Sequence, residues 1–155
     1  MSTYSVVKGS GATTFPNDSA GAYPIEATLD FSKINSGSGT VQNDIVQLIQ
    51  IPANALVLAI AFKVTTANTS LTDFDLGDGD VTGGYVDGAS MATVNDGCSW
   101  QTTFNEATPN TTKEGMSLGK FYTVADTIDF KQNTAATITS GVLKVKALLF
   151  DCNLY

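Results

Sequence analysis

Ala55-Leu56-Val57-Leu58-Ala59-Ile60-Ala61-Phe62-Lys63-Val64-Thr65-Thr66 is the stretch that decides the fold. Read with a period of two, one face carries Leu56, Leu58, Ile60, Phe62 and Val64, and the other carries Val57, Ala59, Ala61, Lys63 and Thr65. Large residues on one side and small ones on the other predict a core face and a second, tighter packing face. The β-branched residues and the strict alternation argue against a helix over the same residues. Apolar groups on both faces also predict that the chain associates with copies of itself.

Outward from this strand, other segments share its period. Ile25, Ala27, Leu29 and Phe31 alternate with Glu26, Thr28, Asp30 and Ser32, which predicts a half-buried strand. Asp44 to Ile51 is apolar on both parities and ends at Pro52, as expected of a strand covered on both sides. Leu71 to Leu76 sets Phe74 and Leu76 against Asp73 and Asp75. Lys120 to Val124, Thr127 to Phe130 and Ala136 to Thr139 follow. The last strand, Val142 to Phe150, has Leu143, Val145, Ala147 and Leu149 on one face and Lys144 and Lys146 on the other. Short strands joined by turn residues predict an all-β protein, an antiparallel β-sandwich of jelly-roll-like form. Residues 1–24 are rich in turn signals and read as an extended N-terminal arm, frayed or docked on a neighbour. Residues 25–155 then form the sandwich domain, with a long Gly/Asn/Thr-rich loop region at 77–118 that holds short strands or is held by a partner.

Composition narrows the function. Hydrophobic residues make up 43% of the 155-residue chain, enough for a core, and only 15% are charged. Fifteen acids against eight lysines give a formal charge of −7, with no Arg and no His. An Arg-free acidic chain is repelled by nucleic acid and by anionic lipid. Without His, the Ser-His-Asp and Cys-His arrangements are absent, so no enzyme is expected. The longest apolar run is interrupted by Lys63, and no membrane span is expected. Met1-Ser2-Thr3-Tyr4 lacks a basic stretch followed by an apolar run, so no signal peptide is expected. Cys98 and Cys152 could pair, but two reduced thiols are the simpler expectation.

Two clusters compete for a site. Asp73, Asp75, Asp78, Asp80 and Asp87 could offer oxygens to calcium. However, Ala89 stands where an EF-hand loop needs a bidentate Glu, and no helices flank the loop. Solvated Asp side chains and an Asx turn are the expectation, with no metal and no cofactor. No spacing selects a carboxylate pair for glycoside hydrolysis. Gly77-Asp78-Gly79 lacks the Lys and following helix of a phosphate loop. Tyr4, Phe15 and Tyr23 in the arm, with Tyr85, Trp100 and Phe104 in the loop region, are the candidate partner-binding anchors. The last three could equally form a sugar-stacking platform.

The ordered set Ile51-Pro52-Ala53-Asn54-Ala55-Leu56-Val57-Leu58, Phe74-Asp75-Leu76-Gly77-Asp78-Gly79, Gly83-Gly84-Tyr85-Val86-Asp87-Gly88 and Gly119-Lys120-Phe121-Tyr122-Thr123 resembles small capsid-decoration (cement) proteins of tailed bacteriophages. The resemblance runs over about residues 43–150. It implies β-sandwich subunits, often homotrimers, clamped on the capsid exterior where major capsid protein subunits meet, and it supplies no catalytic residues. Synthesis would be in the host bacterial cytoplasm. Three copies at −7 each would carry −21, which disfavours a DNA-facing position. A receptor- or carbohydrate-binding β-sandwich of a tail fibre is the alternative.

Overall fold

This computed structural model describes residues 1–8, 22–94, 96–98 and 119–152. The strands are β1 (Thr3–Lys8), β2 (Ala22–Asp30), β3 (Ile45–Ile51), β4 (Ala55–Thr66), β5 (Phe74–Gly77), β6 (Val86–Ala89), β7 (Asp96–Cys98), β8 (Lys120–Tyr122), β9 (Asp126–Gln132) and β10 (Val142–Asp151). One sheet, here called the first, has the order β1-β3-β9-β5-β6. The second has the order β2-β10-β4-β7, with β8 also paired to β4. From β2 to β5 the chain changes sheet at every step, and it does so again from β8 to β10. This gives the all-β sandwich of two antiparallel-rich sheets predicted from the sequence. Among the described residues, every pairing is antiparallel except β1 with β3, which is parallel.

The predicted alternation holds in β2 and β10. Ala27 and Leu29 are buried and Phe31 follows them inward, as are Leu143, Val145, Ala147 and Leu149, while Lys144 and Lys146 are exposed. β4 departs from the expected faces. Leu148 pairs with Ala59 but Leu149 pairs with Val57, so Leu58 is an extra residue, a β-bulge. A bulge shifts the phase of the side chains. Ala55 and Val57 therefore enter the core before it, and Ile60, Phe62 and Val64 after it, whereas Leu56 and Leu58 lie half-buried on the outer face. β3 does the same. Gln47 pairs with Asp129 and Ile49 with Ile128, which leaves Leu48 as the extra residue. Val46, Leu48, Ile49 and Ile51 are all buried by this means, on what the sequence suggested were two covered faces.

The sheets are joined by rings. Phe74 of β5 stacks on Phe130 of β9 with centroids 5.4 Å apart. Phe62 of β4 meets Phe74 edge-on at 5.5 Å, and Phe31, just past β2, meets Phe130 edge-on at 5.4 Å. Such pairs add about 0.5–1.5 kcal/mol each beyond area burial. Phe31 opens a short 3-10 segment (Phe31–Gly37), capped by Asp30, whose Oδ1 accepts from the Ser32 amide at 3.1 Å and the Ser32 hydroxyl at 2.6 Å.

Residues Thr3–Lys8, read from the sequence as irregular arm, form an edge strand. Its entry is fixed by Asp44, which is buried. Asp44 Oδ1 accepts from the Ser2 amide at 2.8 Å and Oδ2 from the Val41 amide at 3.0 Å, while the Ile45 amide donates to the Ser2 carbonyl at 2.9 Å. Strand β2 begins at Ala22, three residues before the predicted Ile25. The region 77–118 holds two short strands, β6 and β7, among its described residues.

Gly39 has φ +74°, and a Cβ there would lie 1.9 Å from the Ile138 carbonyl oxygen, at the bridge that pairs Thr40 with Ile138. Gly88 has φ +67° but open space around it. Gly88→Ala is expected to cost about 1 kcal/mol, from backbone conformation alone. Gly39→Ala must move backbone as well, and is expected to cost about 3 kcal/mol or more. Urea denaturation of both variants gives the comparison.

Candidate functional site

The tightest polar constellation sits where β5 ends. Asp78 is fully buried directly after Gly77, and the loop returns so closely that a Cβ on Gly77 would lie 2.0 Å from the Val81 carbonyl oxygen. Asp78 Oδ1 accepts from the amides of Asp80 (3.0 Å) and Val81 (2.9 Å), the Asx turn expected from the sequence. Oδ2 accepts from Lys120 Nζ and from the Tyr122 hydroxyl, both at 2.6 Å. Strand β8 supplies both donors. Since Tyr122 gives its proton to Asp78, its oxygen is the acceptor for Tyr85, 2.8 Å away. Lys120 also lies 4.9 Å from the Tyr122 ring centroid and 3.3 Å from Asp80 Oδ2.

Electrostatics follow from this packing. Burial pushes the Asp78 carboxyl upward, but the Lys120 ammonium, the Tyr122 hydroxyl and the Val81 amide outweigh it and hold it below the usual carboxylate range. Burial pushes Lys120 down, and Asp78 and Asp80 more than restore it, leaving it above its ordinary value. Burial raises both tyrosines; for Tyr122 the hydrogen bond to Asp78 adds to the rise. Asp129, on the neighbouring strand β9, behaves in the opposite sense to Asp78. Burial first, then Asp126 and Asp78, push it up to about 6, against a 2.7 Å hydrogen bond from the Thr127 hydroxyl.

The five acids nominated from sequence do not converge. Asp73 is partly buried and takes the Asn133 side-chain amide at 3.1 Å, and Asp75 is buried and takes the Gly88 amide at 2.9 Å, so Asp75 is not a solvated outer-face residue. Asp87 is exposed. Carboxylate oxygens of Asp78, Asp80 and Asp126 do lie within 4.8 Å of one another. Lys120 already supplies a cation to two of them. Asp126 was not nominated, because it arrives from β9, 46 residues past Asp80 in sequence.

Of the six candidate anchors, Tyr4 and Tyr23 are half-buried and pack against the core. Burial and then Asp151 push the Tyr23 hydroxyl up to about 12. Tyr85 is only 5% exposed, so its ring serves the interior. Phe15, Trp100 and Phe104 lie outside the described residues.

A surface that sequence reasoning missed is the outer face of the second sheet. Directly paired residues share a face, so Phe121, Leu56, Phe150 and Ala22 form a row across β8, β4, β10 and β2. Ala59, Leu148 and Pro24 form the next, then Cys98, Ala61, Lys146 and Glu26, then Asp96, Lys63, Lys144 and Thr28, with Cys98 and Asp96 from β7. Phe121 is 49% exposed; Leu56, Leu58, Leu148 and Phe150 are half-buried; the three lysines are exposed. Glu26 lies 3.5 Å from both Lys144 and Lys146.

Two outcomes are expected of the buried cluster. The first concerns its charge balance. Because Lys120 supplies the positive charge at Asp78, EDTA is expected to leave Tm unchanged, whereas Lys120→Met is expected to lower stability by about 3 kcal/mol by leaving a buried carboxylate unpaired. Thermal scans with and without chelator test both. The second concerns pH. With its folded value raised, Asp129 favours folding in its neutral form, a contribution complete below the ordinary Asp value and lost as pH rises through about 6. Asp129→Asn keeps an acceptor for Thr127. It is expected to raise Tm at pH 8 by roughly 2–10 °C and to have little effect near pH 4.

No protein-family model matches the chain, and no curated protein matches it significantly in sequence. Solved structures do match. A chain of the capsid of Ralstonia phage GP4 superposes with a TM-score of 0.64 at 10% identity, over 95% of this chain and 97% of that one. A chain of the cyanophage Pam1 capsid asymmetric unit gives 0.57 at 18% identity, over 89% and 91%. A chain of the acidic stable capsid structure of Helicobacter pylori bacteriophage KHP30 gives 0.54 at 15% identity, over 83% and 86%. The likeness is one of fold, and it runs nearly end to end: this chain has the β-sandwich fold of subunits found in three phage capsids.

Proposed function

We propose that this protein is a non-catalytic virion structural protein that decorates the outside of a tailed-phage capsid and stabilises contacts between major capsid subunits, as a homotrimer. The observation that carries this reading is the mutual coverage with the capsid chains. At 97% of the neighbour's length, the likeness is to a whole small subunit rather than to one domain of a larger enzyme. The sequence supports the rest. Its pattern resembles cement proteins, and a formal charge of −7 without Arg disfavours both a DNA-facing position inside the shell and a membrane surface. The three lysines on the outer face of the second sheet lie beside an apolar strip, a mixture suited to protein contact. A chain built in this way acts by binding. It needs no cofactor, and it strengthens a shell through many modest contacts repeated by symmetry. The tail-fibre alternative relied on a platform of Tyr85, Trp100 and Phe104, and Tyr85 faces the interior.

Particles stripped of the protein are expected to release DNA at a lower temperature than complete particles, and adding the purified protein back should restore the difference. Cryo-EM of the particles should place the subunit on the exterior, between major capsid subunits. Stripped particles of equal resistance to heat and low salt would overturn the cement role and leave host-surface binding as the better account.

A further inference from the structure

We infer that the outer face of the second sheet docks a second copy of this chain, received through the acidic end of the sandwich around Asp80. The inference rests on the capsid-surface reading only for where the assembly sits; the contact itself belongs to the purified chain.

The first sheet packs against the inner face of the second and leaves the opposite face to solvent among the described residues. That face is split. One half is the strip of Phe121, Leu56, Phe150 and Leu148, and the other half carries Lys63, Lys144 and Lys146. Lys63 stands directly opposite Lys144, a pairing of like charges that destabilises an isolated sheet. Among the described side chains, Glu26 is the acid within ion-pair distance of this group, and it already serves two of the lysines. The described side chains Lys63, Lys144, Lys146 and Glu26 together carry +2 in a chain of formal charge −7, and Asp96 of β7 stands in register beside Lys63.

An acidic group sits elsewhere. Exposed Asp80 and half-buried Asp126 lie at one end of the sandwich, over the buried Asp78 and Asp129, and Lys120 pairs with Asp78 and Asp80. Asp80 is the outermost of them, with its side chain 81% exposed. An apolar strip flanked by excess lysine fits a surface that is itself acidic, and the same molecule carries such a surface in a different place. A contact between two different patches of identical subunits is heterologous, and it closes into a ring where the rotation permits. Nucleic acid is a poorer occupant for the lysines, because the rest of the chain repels it and the apolar strip would stay uncovered.

Sedimentation velocity of the full chain tests the contact. The wild type is expected to show a concentration-dependent rise in sedimentation coefficient that weakens at high salt. The double variant Lys144→Glu/Lys146→Glu and the single variant Asp80→Lys are each expected to associate at least about tenfold more weakly. Mixing the two should restore association, because each then supplies the charge the other lacks. Circular dichroism and Tm check that both variants fold, and Lys144→Gln/Lys146→Gln serves in place of the double reversal if it does not. A wild type that stays monomeric at high micromolar concentration and low salt overturns the contact. So does association that both variants leave unchanged, a mixture that stays monomeric, or a DNA duplex that binds the wild type through these lysines. A monomer that still decorates particles overturns this contact and leaves the capsid reading intact; an oligomer that decorates no particle does the reverse.

Discussion

A β-strand has two faces and no freedom to choose between them residue by residue, and the sandwich depends on how β4 escapes that constraint. Its 12 residues must cover the core along their whole length while the strand twists. The extra residue at Leu58 resets the phase, so that Ala55 and Val57 at one end and Ile60, Phe62 and Val64 at the other all face the first sheet. The same reset at Leu48 lets β3 bury Val46, Leu48, Ile49 and Ile51. The bulge in β4 has a second effect. It turns Leu56 and Leu58 outward, beside Leu148, Phe150 and Phe121, and so the apolar strip on the outer face arises from the device that completes the core.

Charge is distributed as unevenly as apolar surface. Asp78 is held ionised in the interior by four donors: two amides of its own turn, the Lys120 ammonium and the Tyr122 hydroxyl. The last two belong to β8, so the carboxylate ties the end of the first sheet to a strand of the second. Its negative charge is then felt by Asp129, which burial and two acidic neighbours push toward its neutral form. One buried anion is thus stabilised while a second, close by, is penalised.

Much of this was legible in the sequence, and the losses have physical causes. β2 and β10 each bury one face without interruption, so alternation alone placed Ala27, Leu29, Leu143, Val145, Ala147 and Leu149 correctly. The Asx turn at Asp78 was legible because it is made within four residues. The bulges were not, since Leu56 through Ile60 is apolar at every position and either phase satisfies the pattern. The partners of Asp78 were missed because they come from β8, 42 and 44 residues away. A signal for them existed: Lys120 has the same parity as Tyr122 in a short strand, and a lysine turned inward requires an acid. Tyr85 was read as a surface anchor because it lies in a long Gly/Asn/Thr-rich stretch. Its hydroxyl, satisfied by Tyr122, is what allows the ring to be buried.

Open sheet edges limit how such a subunit can pack against others, because an unpaired strand is a template for indiscriminate pairing. In the first sheet, β1 covers β3 in parallel, fixed at its start by the buried Asp44, and among the described residues the other edge is the four-residue β6. In the second sheet, the edge strand β2 carries Pro24, which lacks an amide hydrogen, and Glu26, which turns a charge outward. The opposite edge is divided between β7 and β8, each three residues long. Short, interrupted or charged edges discourage strand addition, so specific association is left to side chains on the sheet faces. Among the described residues, the outer face of the second sheet offers both apolar area and lysine charge, where a bulge supplies the first and β4 and β10 supply the second.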